Sequence, residues 1–240
     1  MLTVAILAGG EATRLRPMTE SIPKSLVELN GAPFVVHQLR LLYAKGIRRV
    51  VLCVGHLGSL IERTLGDGST VGVQVDYSYD GPVLLGTAGA VKNALPKLGD
   101  PFLVMYGDSY LRCDYAAIAR CFESSSMQDK MAMMTVFRNE GKWDTSNVEF
   151  EGGKILAYSK AKRTPQMRYI DYGLGVFRAQ AFQDVPSGNA CDLAELYADL
   201  LRRNQLAGLE VRERFYEVGS AAGLKETEEF LAAQEARPRQ

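Results

Sequence analysis

Short apolar runs alternate with longer amphipathic stretches through the first half of the chain, and that alternation predicts strands separated by helices. The first strand is expected over Thr3–Leu7, feeding the small-residue loop Ala8-Gly9-Gly10. Pro33 opens a helix with Leu39 and Leu42 on its apolar face, running to Lys45 with Gly46 as its stop. Arg49–Val54 reads as a buried strand, Leu57–Leu65 as a helix ended by Gly66, and Val71–Tyr77 alternates as a strand should. Thr87 caps a helix through Leu95, and Pro101–Tyr106 is a further apolar strand. This order favours an α/β fold with a doubly wound, mainly parallel sheet and ligands at the strands' carboxyl ends.

The second half changes character. Met131–Phe137, Ser146–Phe150 and Lys154–Ser159 read as short strands, the last two joined by a Gly152-Gly153 hairpin. Tyr169–Phe177 is another strand, followed by a helix over Ala190–Arg203 capped near Ser187 or Asn189. Glu210–Val218 reads as the last strand and Ala221–Ala236 as a terminal helix, with a polar, frayed tail over Glu235–Gln240. No repeat or low-complexity linker divides the chain, so one domain over residues 1–240 is expected.

With 28 basic and 28 acidic residues the formal charge is zero, which argues against a general nucleic-acid or anionic-membrane binder. No apolar run approaches a membrane span, and Gly9-Gly10-Glu11 interrupts any signal-peptide pattern, so a cytoplasmic location is expected. Cys53, Cys113, Cys121 and Cys191 show no C-x-x-C spacing, which disfavours a zinc site or disulfide framework. His37 and His56 are the only histidines and read as packing or loop residues.

The richest chemistry lies between Leu7 and Val27. A strand enters glycines whose backbone N–H groups can approach oxyanions closely, followed by Thr13, Arg14 and, after Pro23, Lys24. Arg supplies a planar fork of donors and Lys a compact mobile charge, so these are parts of a phosphate-binding site. The string resembles the signature of the sugar-1-phosphate nucleotidyltransferases, G-G-x-G-T-R-L-x-P-x-T followed by P-K-P-L. Gly9, Gly10, Thr13, Arg14, Leu15, Pro17, Thr19, Pro23, Lys24 and Leu26 fall in place. Ala12 stands where the family has its third Gly, and Ser25 where it has Pro. A Cβ disfavours the positive φ that Gly tolerates, so a shifted loop path around the triphosphate is expected.

Further segments carry the same resemblance, which extends from Val4 to about Ala222. Leu85-Gly86-Thr87-Ala88-Gly89-Ala90 is similar to the L-G-T-A-G-A string that packs backbone against base and ribose; the plain alternative makes Thr87 a helix cap. With Leu7, Ala8, Gly9, Gly10 and Thr13, the residues Gly86, Thr87, Ala88 and Gly89 form the expected nucleotide contacts. Tyr106-Gly107-Asp108 ends a strand with a carboxylate, where the resemblance implies a Mg²⁺ ligand rather than an ordinary turn residue. Glu217 in Tyr216-Glu217-Val218-Gly219-Ser220 stands where the family's second acid completes the metal site, one methylene longer than the usual Asp.

On the acceptor side, Lys160 matches the family's phosphate-holding lysine, while Ser159 replaces the glutamate that grips sugar hydroxyls. Asp171 or Tyr172 in the strand ending at Gly173 could take over that recognition, as could Asn147; alternatively Lys160, Lys162 and Arg163 form a solvated basic face. The resemblance implies a Rossmann-like nucleotidyltransferase fold, with nucleotide-binding residues about 1–125 and a β-rich sugar-binding insertion in about 126–240. It further implies transfer of a nucleoside monophosphate from an NTP to a sugar 1-phosphate with release of pyrophosphate. Arg14, Lys24 and Asp108 are then the catalytic residues.

Among compact members the chain looks most similar to bacterial heptose- or mannose-1-phosphate guanylyltransferases. Use of UTP, dTTP or CTP with another sugar or amino-sugar 1-phosphate, or with phosphocholine, stays open. So do an inactive nucleotide-sensing subunit and a homo-oligomeric state. A dehydrogenase is disfavoured, since the loop lacks G-x-G-x-x-G.

Overall fold

Val4 and Ile6 point to one face of a sheet and Ala5 to the other, and helices cover both faces. The structure is a computed structural model that describes residues 1–235. The expected last turn at Ala236 and the tail beyond it lie outside the described residues. The chain opens with β1 (Val4–Leu7), a small hairpin of β2 (Glu28–Leu29) and β3 (Ala32–Pro33), and α1 (Phe34–Ala44). Then come β4 (Arg49–Val54), α2 (Gly58–Leu65), β5 (Gln74–Tyr79), α3 (Gly86–Ala94) and β6 (Phe102–Tyr106). β7 (Ser109–Leu111), α4 (Tyr115–Glu123), β8 (Ala132–Arg138), β9 (Val148–Glu151), β10 (Lys154–Tyr158) and β11 (Tyr169–Phe177) follow. The described chain ends with α5 (Leu193–Arg202), β12 (Leu206–Val211), β13 (Phe215–Glu217) and α6 (Ala221–Glu235).

Strands β5-β4-β1-β6 are parallel neighbours in that order, the doubly wound arrangement expected from the alternating pattern. Because β1 is central, the chain leaves it first toward β4 and later returns on its other side as β6. The loops after β1 and β6 diverge and open a crevice at their carboxyl ends. Val35, Leu39 and Leu42 of α1 and Ile61 of α2 pack against Val4, Ile6, Val50 and Leu52. Ala88, Val91 and Ala94 of α3 cover Ala5, Val51 and Cys53 on the other face. Each fully buried Leu or Ile contributes on the order of 2 kcal/mol, so the two faces anchor the loops between them.

The rest of the sheet is mixed. β11 runs antiparallel to β6 and β8, β12 runs parallel to β8, and the β9–β10 hairpin extends the edge beyond β11. β11 slips register against β8 between Asp171 and Gly175. No helix among the described residues is long and apolar enough to cross a membrane.

Several expected elements change. Glu210–Val218 is not one strand, because the charged stretch Arg212–Arg214 separates β12, which pairs with β8, from β13, which leaves the main sheet to pair with β7. The expected strand Val71–Tyr77 starts and ends later, after a 3₁₀ turn at Ser69–Val71. β7 and α4 were not anticipated; Asp114 caps α4 by accepting the Ala117 N–H at 2.9 Å. α5 begins at Leu193, and neither Ser187 nor Asn189 caps it. Instead the Thr87 hydroxyl accepts the Leu193 N–H at 2.7 Å, so Thr87 caps a helix distant in sequence rather than its own.

Candidate active site

The crevice is a cleft of about 350 Å³. Its walls include Gly9, Gly10, Lys24 and Asp108 together with Asp80, Leu84, Gly86 and Thr87. The glycine loop is pinned to the carboxyl ends of β4 and β6. The Ala8 N–H donates to Cys53 O at 2.8 Å, Gly107 N–H to Leu7 O at 3.0 Å, and His56 N–H to Gly9 O at 3.2 Å. A Cβ on Gly9 would lie 3.0 Å from the Gly55 nitrogen, whereas one on Gly10 would meet nothing within 4 Å. Gly9 is therefore small for packing, and Gly10 faces open space.

The Gly10, Glu11 and Ala12 N–H groups donate to no acceptor among the described residues, which leaves them free for an anion. Ala12 has φ 51° and ψ 43°, in the left-handed region despite its Cβ. That conformation costs about 1–2 kcal/mol in a non-glycine residue. Its carbonyl is held by the Thr19 hydroxyl at 2.8 Å and the Leu15 N–H at 3.1 Å. The substitution at this position is thus absorbed as backbone strain.

The β7–β13 ribbon assembles the acids. Glu217 pairs in register with Ser109, and the Val218 N–H donates to Asp108 O at 2.9 Å, so the ribbon brings Glu217 alongside Asp108. A Cβ on Gly219 would lie 3.5 Å from Glu217 Oε1 and 3.6 Å from Asp108 Oδ2; the two carboxylates flank one point. Lys24 Nζ sits 2.7 Å from Asp108 Oδ2, with both side chains about a quarter exposed (22% and 26%). Burial pushes the Glu217 carboxyl above its usual range, and the Asp108 charge adds to this; Lys24 and Arg14 pull it back.

Among the described residues no three His, Cys, Asp or Glu side chains converge as a closed metal site. Two adjacent carboxylates, one of them poorly accommodated without a counter-charge, nevertheless fit a hard dication that takes its other oxygens from phosphate and water. Arg14 and Thr13 are exposed on the mouth of the loop, outside the walls of the cleft. Arg14 still acts on Glu217 through its charge.

Among the residues expected to hold the acceptor, the structure separates some that the sequence placed together. Asp171 accepts hydrogen bonds from the Tyr106 hydroxyl at 3.1 Å and the Gly173 N–H at 3.0 Å. Burial raises its carboxyl, an effect that the nearby Lys160 charge opposes. Lys160 Nζ lies 5.2 Å from the Tyr106 ring centre, so this lysine leans into the polar cluster; Lys162 and Arg163 are exposed. Asn147 accepts the Asp171 N–H at 2.9 Å and so orients that strand.

Gly173 has φ 92°, and a Cβ there would press on Ser109 Oγ at 3.1 Å and the Tyr106 ring at 3.2 Å. The β11 backbone at Gly173 thereby lies against Ser109 and Tyr106. Tyr172 corrects the expectation that it lines this pocket. It alternates to the opposite face, is 2% exposed, and packs against Phe137 and Phe215. Ser159, in place of the family's glutamate, accepts the Lys162 N–H at 2.8 Å and serves the turn.

The Leu85–Ala90 segment also differs in part from expectation. Gly86 and Thr87 line the cleft, but Ala88 is buried, and the N–H groups of Ala88 and Gly89 donate to Cys191 O at 2.8 and 3.2 Å. A Cβ on Gly89 would stand 3.1 Å from Asn189 O; this glycine makes room for the protein's own loop rather than for a ring. Asp80 was missed. Its Oδ2 accepts the Leu85 N–H at 3.1 Å, while Oδ1 is buried without a partner, and burial raises the carboxyl. The signal existed, because carrying the strand on to Tyr79 puts Asp80 at its carboxyl end. Cys53, in the same wall, has its thiol pushed up to about 12 by burial and is inert.

Comparison with known proteins follows the same lines. The sequence pattern of the family described as nucleotidyl transferase matches residues 3–231. An N-acetylmuramate alpha-1-phosphate uridylyltransferase from Neisseria meningitidis is 31% identical over 95% of this chain and 97% of its own length. A mannose-1-phosphate guanylyltransferase from Mycobacterium tuberculosis is 30% identical over 76% of this chain, and the match spans about half (50%) of that relative. Among solved structures, HddC from Yersinia pseudotuberculosis complexed with GMP-PN superposes with a TM-score of 0.79 over 96% of this chain and 100% of its own, at 22% identity. At that identity the likeness is one of fold.

Proposed function

The chain belongs to the nucleotidyl transferase family, and on that premise we propose that it transfers a nucleoside monophosphate from an NTP to a sugar 1-phosphate. One observation carries the reading: a glycine loop with free N–H groups, Lys24, and the Asp108–Glu217 pair converge at the carboxyl ends of β1 and β6. A phosphate oxygen of the acceptor attacks the α-phosphorus in line, the bond to the β-phosphate bridging oxygen breaks, and pyrophosphate leaves. Two anions must meet, so the barrier is largely electrostatic. No general base is needed, because a phosphate monoester is already ionised at neutral pH.

Each residue follows from its place. The Gly9–Ala12 backbone cradles the triphosphate, and Arg14 at the mouth stabilises charge on departing pyrophosphate. Lys24, ion-paired with Asp108, supplies its charge to the reacting phosphate. Asp108 and Glu217 would hold Mg²⁺, which when bound neutralises phosphate oxygens. Lys160 and Asp171 serve the acceptor, the lysine its phosphate and the carboxylate its hydroxyls. Residues of about 1–125 bind the nucleotide and those of about 126–240 the acceptor, within one unit.

GTP is the favoured donor. When ionised, the Asp80 carboxylate in the cleft wall only accepts, and guanine presents N1–H and N2–H₂ side by side, whereas uracil and cytosine set acceptors beside their donors. UTP is the second reading, favoured by the full-length similarity to the Neisseria uridylyltransferase. Pyrophosphate release measured with each of GTP, UTP, dTTP and CTP against mannose, glucose and N-acetylmuramate 1-phosphates tests both. Fastest turnover with GTP and mannose 1-phosphate is expected; absence of pyrophosphate from every pair would remove the transfer reading.

A further inference from the structure

Lys24 and the Asp108–Glu217 pair meet at one oxygen. Lys24 Nζ lies 2.7 Å from Asp108 Oδ2, and that same oxygen flanks, with Glu217 Oε1, the point beside Gly219. The other oxygen, Oδ1, accepts from the Ser109 hydroxyl at 3.4 Å. Both partners are fixed at the backbone. Lys24 opens a 3₁₀ turn closed by the Val27 N–H, which donates to Lys24 O at 3.1 Å, and Asp108 O accepts the Val218 N–H at 2.9 Å. The side chains are only 22% and 26% exposed, so the pair is more than a screened surface contact.

A dication held by Asp108 Oδ2 and Glu217 would share that oxygen with the ammonium, and two cations on one oxygen repel strongly. Among the described residues Asp108 is the only ion-pair partner of Lys24. The lysine nevertheless has a second place to put its charge. Gly10 and Ala12, whose N–H groups are free for an anion, line the same cleft. A triphosphate on that loop offers the ammonium several oxygens in exchange for one, and the flexible four-carbon stem allows the exchange.

We propose that Lys24 is a built-in counter-ion of the acid pair: it holds Asp108 against divalent cations until a phosphate draws the ammonium away. Divalent cation and nucleotide then bind with positive coupling, each raising the affinity of the other by the same factor. The inference rests on the nucleotidyl-transfer reading for the nature of the anion. It goes further in fixing an order, in which free metal is refused and metal arriving with phosphate is admitted.

The test is a titration of the full-length protein with Mn²⁺ in the absence of nucleotide, free Mn²⁺ being read by electron paramagnetic resonance. Lys24→Met keeps most of the stem and removes the charge, and Lys24→Gln does the same with a polar end. Each should bind Mn²⁺ about tenfold or more tightly than wild type, within the usual range of site-to-site coupling. Lys24→Arg keeps the charge and should stay within about threefold of wild type. Arg14→Met removes a charge from the mouth of the loop, where water screens it, and should gain less than about threefold. Adding Asp108→Asn to Lys24→Met should erase the gain. Equal Mn²⁺ affinity in wild type, Lys24→Met and Lys24→Gln overturns the proposal. So does an equal gain from Arg14→Met, which would make the effect one of general field rather than of competition for one oxygen. Pyrophosphate release separates the two readings. A wild-type protein that releases none with any NTP, while Lys24→Met gains Mn²⁺, would remove the transfer reading and leave the counter-ion standing; an active wild type with no gain in either variant would do the reverse.

Discussion

On the side proposed to bind the nucleotide, β1, β4 and β6 reach the cleft as parallel neighbours, and each delivers its loop from a strand end buried on both faces. On the side proposed to bind the acceptor, β7, β11 and β13 are antiparallel, short or out of register, and each delivers one side chain through a specific pairing. The first construction tolerates error, because loops at strand ends point into the crevice whatever their detail. The second does not: a one-residue slip in β11 would exchange Asp171 for Tyr172 beside Tyr106 of the cleft wall. The nucleotide side therefore follows from local sequence, and the acceptor side from long-range pairing.

The comparison breaks most sharply where the two sides share a residue. Asp108→Asn should lower turnover by more than about 10³ while leaving the melting temperature close to wild type. Near-normal activity in that variant would take Asp108 out of the reaction centre. Lys24→Ala should lower kcat by about 10²–10³, the scale of losing one electrostatic stabiliser, with much less effect on NTP affinity measured by thermal shift.

A smaller effect isolates the acceptor side. Asp171→Asn removes a charge but keeps the shape, and should raise the acceptor KM about tenfold with NTP kinetics unchanged. If both KM values rise together, the two sides are not separable in this way.

Stability gives two gentler tests. Burial and Asp108 raise the Glu217 carboxyl in the folded state, so the protonated form favours folding. That contribution is present below the usual Glu value of about 4.3 and is lost as pH rises through the folded value. Without Mg²⁺, Glu217→Gln should therefore melt higher than wild type at neutral pH, the gap closing below about pH 4, while turnover falls. A gap that persists in acid would mean that the ion is not its source. Ala12→Gly should add on the order of 0.5–1 kcal/mol to stability in urea, by relieving the left-handed strain at a small entropic cost. Unchanged or lower stability would show that the Thr19 and Leu15 contacts already offset the strain.

Residue-level legibility follows the same division. Leu7, Ala8, Gly9, Gly10, Lys24 and Asp108 line the cleft, and each was readable because glycines, a cation and an acid stand at fixed spacing from an apolar run. Ala88 and Gly89 misled, because a small residue records close approach without saying what approaches; here it is the chain's own 189–191 loop. Tyr172 misled because parity along β11 depends on the partner strand. Asp80 carries no motif at all, and only its unsatisfied surroundings single it out.

The sequence alone determined the alternation that winds the sheet, the glycine loop and the charges that attend it. These are local matters: periodicity decides burial, glycine decides backbone freedom, and charged residues need only sit at a strand's end. The tertiary structure decided that Glu217 faces Asp108, that Thr87 caps α5, that Asp171 rather than Tyr172 turns to Tyr106 of the cleft wall, and that Arg214 stacks on Trp143. Each depends on pairing between segments far apart in the chain, where one residue of register reverses the face a side chain occupies.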